Sequence, residues 1–222
     1  MSELRIIAHI ENDYTEKFGI PRQSGLSDAT ISRIVFCKEY ALPDAVKGLE
    51  QFEYIWLLWL FDQAKSDHFK ATVRPPRLGG NEHMGVFATR SPYRPNSIGL
   101  SSVRLERIEI VDHAPVLYVS GADLLNGTSI IDIKPYLAYA DSHTDAGNGF
   151  AQSGLEHRLE VKYSPEVFGC LSQQQKESLI QNLSYDPRPS YHDDERIYKM
   201  TFANRNVSFH VSSNVLYIDG ID

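Results

Sequence analysis

Three stretches of the sequence concentrate side chains able to grip a ligand. They are Gly19-Ile-Pro-Arg-Gln-Ser-Gly-Leu26; Arg74-Pro-Pro-Arg-Leu-Gly-Gly-Asn81 running into Gly85-Val-Phe-Ala-Thr-Arg-Ser-Pro-Tyr-Arg-Pro-Asn-Ser-Ile-Gly-Leu100; and Asp123-Leu-Leu-Asn-Gly-Thr-Ser-Ile-Ile-Asp-Ile-Lys-Pro-Tyr136. Glycine and proline fix unusual backbone angles, so such loops can hold amides and carbonyls against a bound molecule. Ordinary β-turn chemistry is the alternative for each, and Asn126-Gly127 alone suits a hairpin. Charge sharpens the picture. The chain has a net charge of −7, yet Thr72–Ile108 holds six arginines (Arg74, Arg77, Arg90, Arg94, Arg104, Arg107) against Glu82 and Glu106, a local +4 that leaves −11 elsewhere. One positive zone on a negative body orients a polyanion; arginines alternating on exposed strands would give the same count. The absence of lysine from the window favours bidentate contacts to phosphates or carboxylates.

Other chemistries are disfavoured. The eight histidines include no His-x-x-x-His or His-x-His, so no metal centre is expected. Cys37 lies in an apolar run and reads as packing; Cys37 and Cys170 form no Cys-x-x-Cys pair, and a reducing cytoplasm is the expected location. No strand leads into a Gly-x-Gly-x-x-Gly helix entry, which argues against a Rossmann-type domain. The longest apolar run, Tyr54–Phe61, is too short to cross a bilayer, and the first ten residues show no export signal, so no membrane partner is expected.

The elements that must position these loops read mostly as strands. Ile6–Ile10, Thr30–Cys37 and Leu100–Val111 alternate with period two, the last slipping phase between Leu105 and Ile108 as a bulge would. Tyr54–Phe61 reads as a strand buried on both faces, and Gly85–Thr89 as a short strand. Asp112-His-Ala-Pro115 turns into Val116–Ser120, and Ser129–Ile133 is a further strand. Pro43–Leu49 reads as a short helix. Many short strands with turn signals between them point to a barrel or closed sandwich. Beyond the polar stretch Asp141–Gly149 the texture changes. A strand (Leu159–Tyr163), a helix start at Ser164-Pro165, a helix capped by Ser172 (Gln173–Leu183) and a meander (Ile197–Phe202, Val207–Val211, Val215–Ile218) make a small α+β unit. At roughly 65 residues that unit is marginal alone and is expected to pack on the barrel or across a subunit interface.

Gly85–Leu100 and Asp123–Tyr136, together with Lys17-Phe-Gly-Ile-Pro-Arg-Gln-Ser-Gly-Leu26, Val73–Asn81 and Asp186-Pro-Arg-Pro-Ser-Tyr191, resemble the TrmO (TsaA-like, YaeB) family over most of the chain. The family comprises S-adenosylmethionine-dependent methyltransferases acting on N6 of threonylcarbamoyl-adenosine at tRNA position 37. The resemblance implies a mainly β fold: a single-sheet, antiparallel-rich β-barrel methyltransferase domain over residues 1–145 and a small α+β domain over 146–222 for tRNA contact or dimer support. It implies a homodimer with the cofactor near the subunit interface. Its cofactor contacts fall on Pro21, Arg22, Gln23, Asp62, Gln63, Arg90, Leu100, Asp123, Leu124, Leu125 and Asn126. Family members carry Asn-Pro-Ile-Gly where Asn96-Ser-Ile-Gly99 stands, an acid at Asn126, and in some cases His at Asp62, differences that bear on affinity rather than reaction type.

Methyl transfer to an exocyclic amine is an in-line displacement in which positioning supplies much of the rate. Asp132 or a main-chain carbonyl is a candidate acceptor for the N6 proton, although Asp132 bonded to Lys134 or to backbone amides would be structural. Tyr93 and Tyr136 either stack on bases or pack in the barrel wall. Arg74, Arg77, Arg94 and Lys134 are candidates for tRNA phosphates and the threonyl carboxylate. A non-catalytic RNA-binding barrel would need the arginines without the cofactor; a small-molecule methyltransferase would need the loops without the positive zone.

Overall fold

Alternation along the strands decides which residues face inward. The structure, a computed structural model, describes residues 4–63, 68–75, 78, 81–152, 157–188, 194 and 196–222. Its N-terminal part runs β1 (Ala8–Glu11), β2 (Ile31–Phe36), β3 (Tyr54–Leu60), β4 (Thr72–Val73), β5 (Met84–Gly85), β6 (Ile98–Val111), β7 (Ala114–Ser120) and β8 (Ser129–Pro135). Strands β1-β2-β7-β6-β3-β8 close into one barrel whose pairings are all antiparallel, while β4 and β5 form a separate two-stranded flap. Ile10, Ile34, Ile55, Leu57, Leu117 and Ile130 are fully buried at the centre, each such side chain contributing about 1.5–3 kcal/mol by leaving water.

Three sequence expectations for this N-terminal part need correction. Strand β3 is not buried on both faces: Ile55, Leu57 and Trp59 are buried, whereas Tyr54, Trp56, Leu58 and Leu60 keep partial exposure on the outer wall. This is the one-sided burial usual for antiparallel sheets. Gly85–Thr89 is not a strand, because β5 ends at Gly85 and Val86–Ala88 forms a 3-10 turn. Local bonds win there: Thr89 Oγ1 donates to the Val86 carbonyl at 2.9 Å, and Arg94 donates to the carbonyls of Val86 and Thr89 at 3.1 and 2.7 Å. Pro43–Leu49 is two short 3-10 turns, broken at Gly48 with φ 88°.

The bulge in β6 lies where the phase slips, between Leu105 and Arg107, and the β6–β7 hairpin turns on Asp112 and His113, both with positive φ. Arg104 lies 3.9 Å from Glu106 and Arg107 lies 2.6 Å from Glu109, with the Arg107 guanidinium 3.6 Å from the centroid of the Tyr118 ring. Exposed pairs add little stability, but they cancel charge. The positive zone therefore contracts to the loops before β6.

The C-terminal part comprises β9 (Glu160–Tyr163), the helix Gln173–Ser184 and β10 (Tyr198–Phe202), β11 (Arg205–Ser212) and β12 (Val215–Ile221), in a sheet ordered β10-β11-β12-β9. Ser172 and Gln175 close a capping box at the helix start. Ser164-Pro165 begins only a 3-10 turn, Pro165–Phe168. The second core is not confined to this unit, because Tyr14, Phe18 and Ile20 pack into it with Leu179, Phe202 and Phe209. Polar contacts reinforce the junction. Tyr14 Oη lies 2.7 Å from Thr30 Oγ1 and accepts from Asn182 Nδ2 at 3.1 Å, while Gln181 Oε1 accepts from Ser27 Oγ and the Ala29 N–H at 3.1 and 2.9 Å. Glu16 Oε1 accepts from the Thr201 N–H at 2.6 Å. Burial pushes the Tyr14 phenol up, against the pull of these hydrogen bonds, so it stays neutral and donates.

Tyr14→Phe keeps the ring but strands buried partners at that junction. Urea denaturation of the full chain is expected to show a loss of about 1–3 kcal/mol; an unchanged midpoint would mean the phenol does not tie the two cores together.

Candidate functional site

Strand direction and register decide which loops meet. The C-terminal ends of β1, β3 and β7 and the N-terminal ends of β2, β6 and β8 lie at one end of the barrel. The connections 12–30, 61–97 and 121–128 therefore all emerge on one rim, and these carry the first two ligand-gripping stretches and the start of the third.

Asp123 is the meeting point. Its carboxylate accepts from Ser101 Oγ at 2.5 Å, is approached by the main-chain N–H groups of Asp123 and Ser24, and feels the charge of Arg90. Protein atoms crowd it, although the residue as a whole keeps partial exposure. Burial pushes its pKa up, the dominant effect; the Ser101 bond, the amides and Arg90 pull the other way. Arg90 Nη1 donates to Gln23 Oε1 at 2.6 Å, joining the second loop to the first. The Gly25 N–H donates to the Gly121 carbonyl at 2.9 Å, joining the first to the third. Arg22 reaches the other way, donating to the carbonyls of Arg188 at 2.6 Å and Asp186 at 3.3 Å. Those two residues are themselves joined by a two-pronged ion pair at 2.9 Å.

Beside this centre lies a cleft of about 1670 Å³, edged by Pro21, Arg22, Gln23 and Arg90 on the rim, Thr72–Pro75 and His83 of the flap, and Asn148, Phe150 and Pro187. Lys17, Lys70 and Arg74 line it too, and no Asp or Glu is among its described lining residues. His83 accepts from Arg74 Nε at 3.0 Å through Nε2 and faces Thr72 Oγ1 at 3.3 Å through Nδ1. Phe87 and Tyr93 present aromatic surface, 69% and 51% exposed. Phe69 stacks on Phe87 at 6.2 Å, and the Arg94 guanidinium lies 5.5 Å from the Phe87 centroid.

The other expected residues fall elsewhere. Asp62 sits on the same rim, its Oδ2 accepting weakly from the Ser129 N–H at 3.4 Å, and Gln63 is exposed next to it. Leu124 is fully buried core, Leu125 is half-buried, and Asn126 anchors its loop by accepting from the Asn12 N–H at 3.0 Å. Leu100 points outward, 51% exposed, opposite in direction to the buried Ser101.

Asp132, Lys134 and Tyr136 run along the outer wall toward the opposite end, in register with Leu58, Trp56 and Tyr54. Asp132 has one oxygen on the Ile133 N–H at 2.9 Å and the other on Lys134 Nζ at 2.8 Å. These contacts are the ones the structural alternative calls for. Tyr136 packs against Trp56 at 5.5 Å and Tyr54 at 6.2 Å, the wall-packing alternative. Arg94 clamps its own loop, and Arg77 lies outside the described residues. Sequence reasoning quoted Ser24, Phe87 and Lys17 only as members of longer stretches, with no role of their own, and assigned no site role to Ser101, Trp59 or Lys70. A hydroxyl at an inward position of a strand, as at Ser101 between Gly99 and Val103, was the available signal.

Comparison with known proteins agrees with this architecture. Residues 9–142 match the tRNA-methyltransferase O N-terminal domain and residues 156–222 the TrmO C-terminal domain. A tRNA (adenine(37)-N6)-methyltransferase of Escherichia coli is 39% identical over 215 residues, covering 93% of this chain and 92% of that protein. A putative S-adenosylmethionine-dependent methyltransferase, RcsF, of Pseudomonas aeruginosa is 42% identical over 212 residues, covering 92% and 90%. A crystal structure of TrmO from Pseudomonas aeruginosa matches with a TM-score of 0.81 at 33% identity, covering 100% of this chain and 99% of that one. Two family domains in the same order, spanning both cores, place the chain in the TrmO family.

Proposed function

We propose that the chain is a methyltransferase that moves the methyl group of S-adenosylmethionine to N6 of adenosine 37 in tRNA, with threonylcarbamoyl-adenosine as the accepting nucleoside. The observation that carries this reading is the convergence of three loops around Asp123, on the rim beside a cleft whose described lining residues include Lys17, Lys70 and Arg74 and no acid. When bound, the cofactor supplies an electrophilic methyl on a positively charged sulfur. The residues present fit such a group: Asp123 is a crowded carboxylate whose nearest cationic influence, Arg90, is hydrogen-bonded to Gln23 rather than to it. A cation entering there relieves the cost of holding a buried negative charge. Pro21, Gln23, Arg90 and Asp123 are the proposed holding groups at the centre. Arg22 links them to the C-terminal unit, Asp62 and Gln63 extend the rim, and Leu124–Asn126 shape the loop behind.

The cleft takes the anticodon loop. Adenosine 37 lies in a single-stranded loop, so its base is reached without opening a duplex. Lys17, Lys70 and Arg74 meet phosphates, and Phe87 and Tyr93 offer faces on which bases stack, each stack being worth about 1–3 kcal/mol. Arg77 belongs to the same loop in sequence and is proposed as a further phosphate contact. Asp132 lies on the outer wall in register with Leu58, so a water hydrogen-bonded to a main-chain carbonyl of the rim is the proposed acceptor that carries the N6 proton to solvent.

Residues 1–145 form the methyl-transfer unit in this reading, and 146–222 brace the first loop and edge the cleft through Pro187. We place the enzyme in the cytoplasm with its tRNA, as a homodimer. The outer wall supports pairing, since Tyr54, Leu100 and Tyr139 are 42%, 51% and 89% exposed beside Trp56 and Tyr136. An apolar face of this kind marks an association surface.

Incubating the purified chain with cofactor and tRNA, then analysing nucleosides by mass spectrometry, is expected to show one added methyl on the threonylcarbamoyl-adenosine base. tRNA binding without methylation would favour the non-catalytic RNA-binding barrel. Arg90→Ala is expected to weaken cofactor binding by about tenfold or more in calorimetric titration, by freeing Gln23 and removing a charge that favours the ionised form of Asp123. Lys70→Ala is expected to leave cofactor binding intact while weakening tRNA binding and flattening its log–log salt slope by about one. Equal loss of both ligands in both variants would refute this division of labour.

A further inference from the structure

We infer that Trp59 and Ser101 are positioning residues that hold the Asp123 carboxylate ionised and aimed for the cofactor, a role resting on the reading of Asp123 given above. Trp59 Nε1 donates to Ser101 Oγ at 3.0 Å, and Ser101 Oγ donates to Asp123 Oδ1 at 2.5 Å. The direction of the second bond is dictated by the first. An indole N–H is only a donor, so it occupies a lone pair of the hydroxyl. The single hydroxyl proton is then free to turn to the carboxylate. A relay wired this way favours the acceptor-only form of Asp123 over the protonated one.

Burial makes the relay matter. Trp59 is 7% exposed and Ser101 1%, so a displaced hydroxyl finds no water to replace its partner, and hydrogen bonds to charged groups in such sites are the strong ones. The charged group acting on Asp123 is Arg90 of the second loop; the first loop contributes the Ser24 N–H and the third the N–H of Asp123 itself. Ser101 adds to these a side-chain hydroxyl from β6 of the barrel wall.

The backbone is cut to fit the indole. Trp59 pairs in register with Gly99 and Leu57 with Ser101, so the ring lies across β6 one step from the hydroxyl. A Cβ at Gly99 would come within 2.2 Å of Trp59 Cε2. The glycine of Asn96-Ser-Ile-Gly99 therefore makes room for the ring that orients Ser101. Asp123, the far end of the relay, opens the third ligand-gripping stretch, while Gly99 of the second gives the indole its room.

The test is cofactor binding by calorimetric titration across the acidic-to-neutral range, on full-length wild type, Ser101→Ala, Trp59→Phe and Asp123→Asn. Without the relay the carboxyl protonates more readily. Ser101→Ala is therefore expected to bind S-adenosylmethionine on the order of tenfold more weakly and to lose affinity at a higher pH than wild type as the solution is acidified. Trp59→Phe keeps a ring in the Gly99 gap and is expected to move both quantities the same way by less, so it reads the relay even if Ser101→Ala fails to fold. Asp123→Asn is expected to bind weakly with a flat pH profile. If Asp123→Asn is weak while Ser101→Ala and Trp59→Phe match wild type in affinity and pH midpoint, the relay is refuted and the cofactor role of Asp123 stands. If Asp123→Asn binds like wild type, that role itself fails and the relay with it.

Discussion

An antiparallel barrel leaves little freedom in where its loops emerge. Each strand reverses the one beside it, so once β3 lies between β6 and β8 the segments following β1, β3 and β7 must leave from the same end. The other end receives the short β6–β7 hairpin and the 3-10 turns of residues 43–51. Chemistry-bearing residues far apart in sequence, such as Gln23, Arg90 and Asp123, become neighbours through this geometry. The apolar centre of the barrel, with Ile55, Leu57, Leu117 and Ile130 fully buried, makes the arrangement rigid enough to hold a small set of polar groups in place.

Rigidity at the first loop comes from a second source. Residues 12–30 form a long connection with no strand of their own. Such a segment would be expected to be mobile. Here Tyr14, Phe18 and Ile20 are absorbed into the C-terminal core, and Ser27, Ala29 and Thr30 are fastened to the helix Gln173–Ser184. The small C-terminal unit thus acts as the wall against which the Pro21-Arg22-Gln23 loop is set, and Arg22 is hydrogen-bonded directly to that wall.

Period-two alternation and turn residues made most of the strands legible, down to the bulge after Leu105 and the Asp112-His113 turn. The alternation could not show that the even-numbered positions of β3 face outward, because Trp56, Leu58 and Leu60 are as apolar as the buried residues between them. Nor could it reveal the turn at Val86–Ala88, since that depends on Arg94 eight residues away finding the Val86 carbonyl. For the site, the motifs named loops that the fold brings to one rim, but not the contacts that join them. Asp132, Lys134 and Tyr136 follow Asp123 in one continuous stretch, yet β8 carries them down the outer wall. Ser101 reads in the sequence only as one position of the strand Leu100–Val111, and the fold shows what its hydroxyl touches.

The sharing of residues 14–20 between two cores has a thermodynamic consequence. Two units joined by a simple tether melt in separate steps, each with its own enthalpy. Here, releasing the C-terminal sheet strips Tyr14, Phe18 and Ile20 of their surroundings and slackens a connection anchored in the barrel at both ends. Calorimetry should therefore record a single cooperative endotherm with matching van't Hoff and total enthalpies, the mark of a molecule whose two halves have no independent stable state.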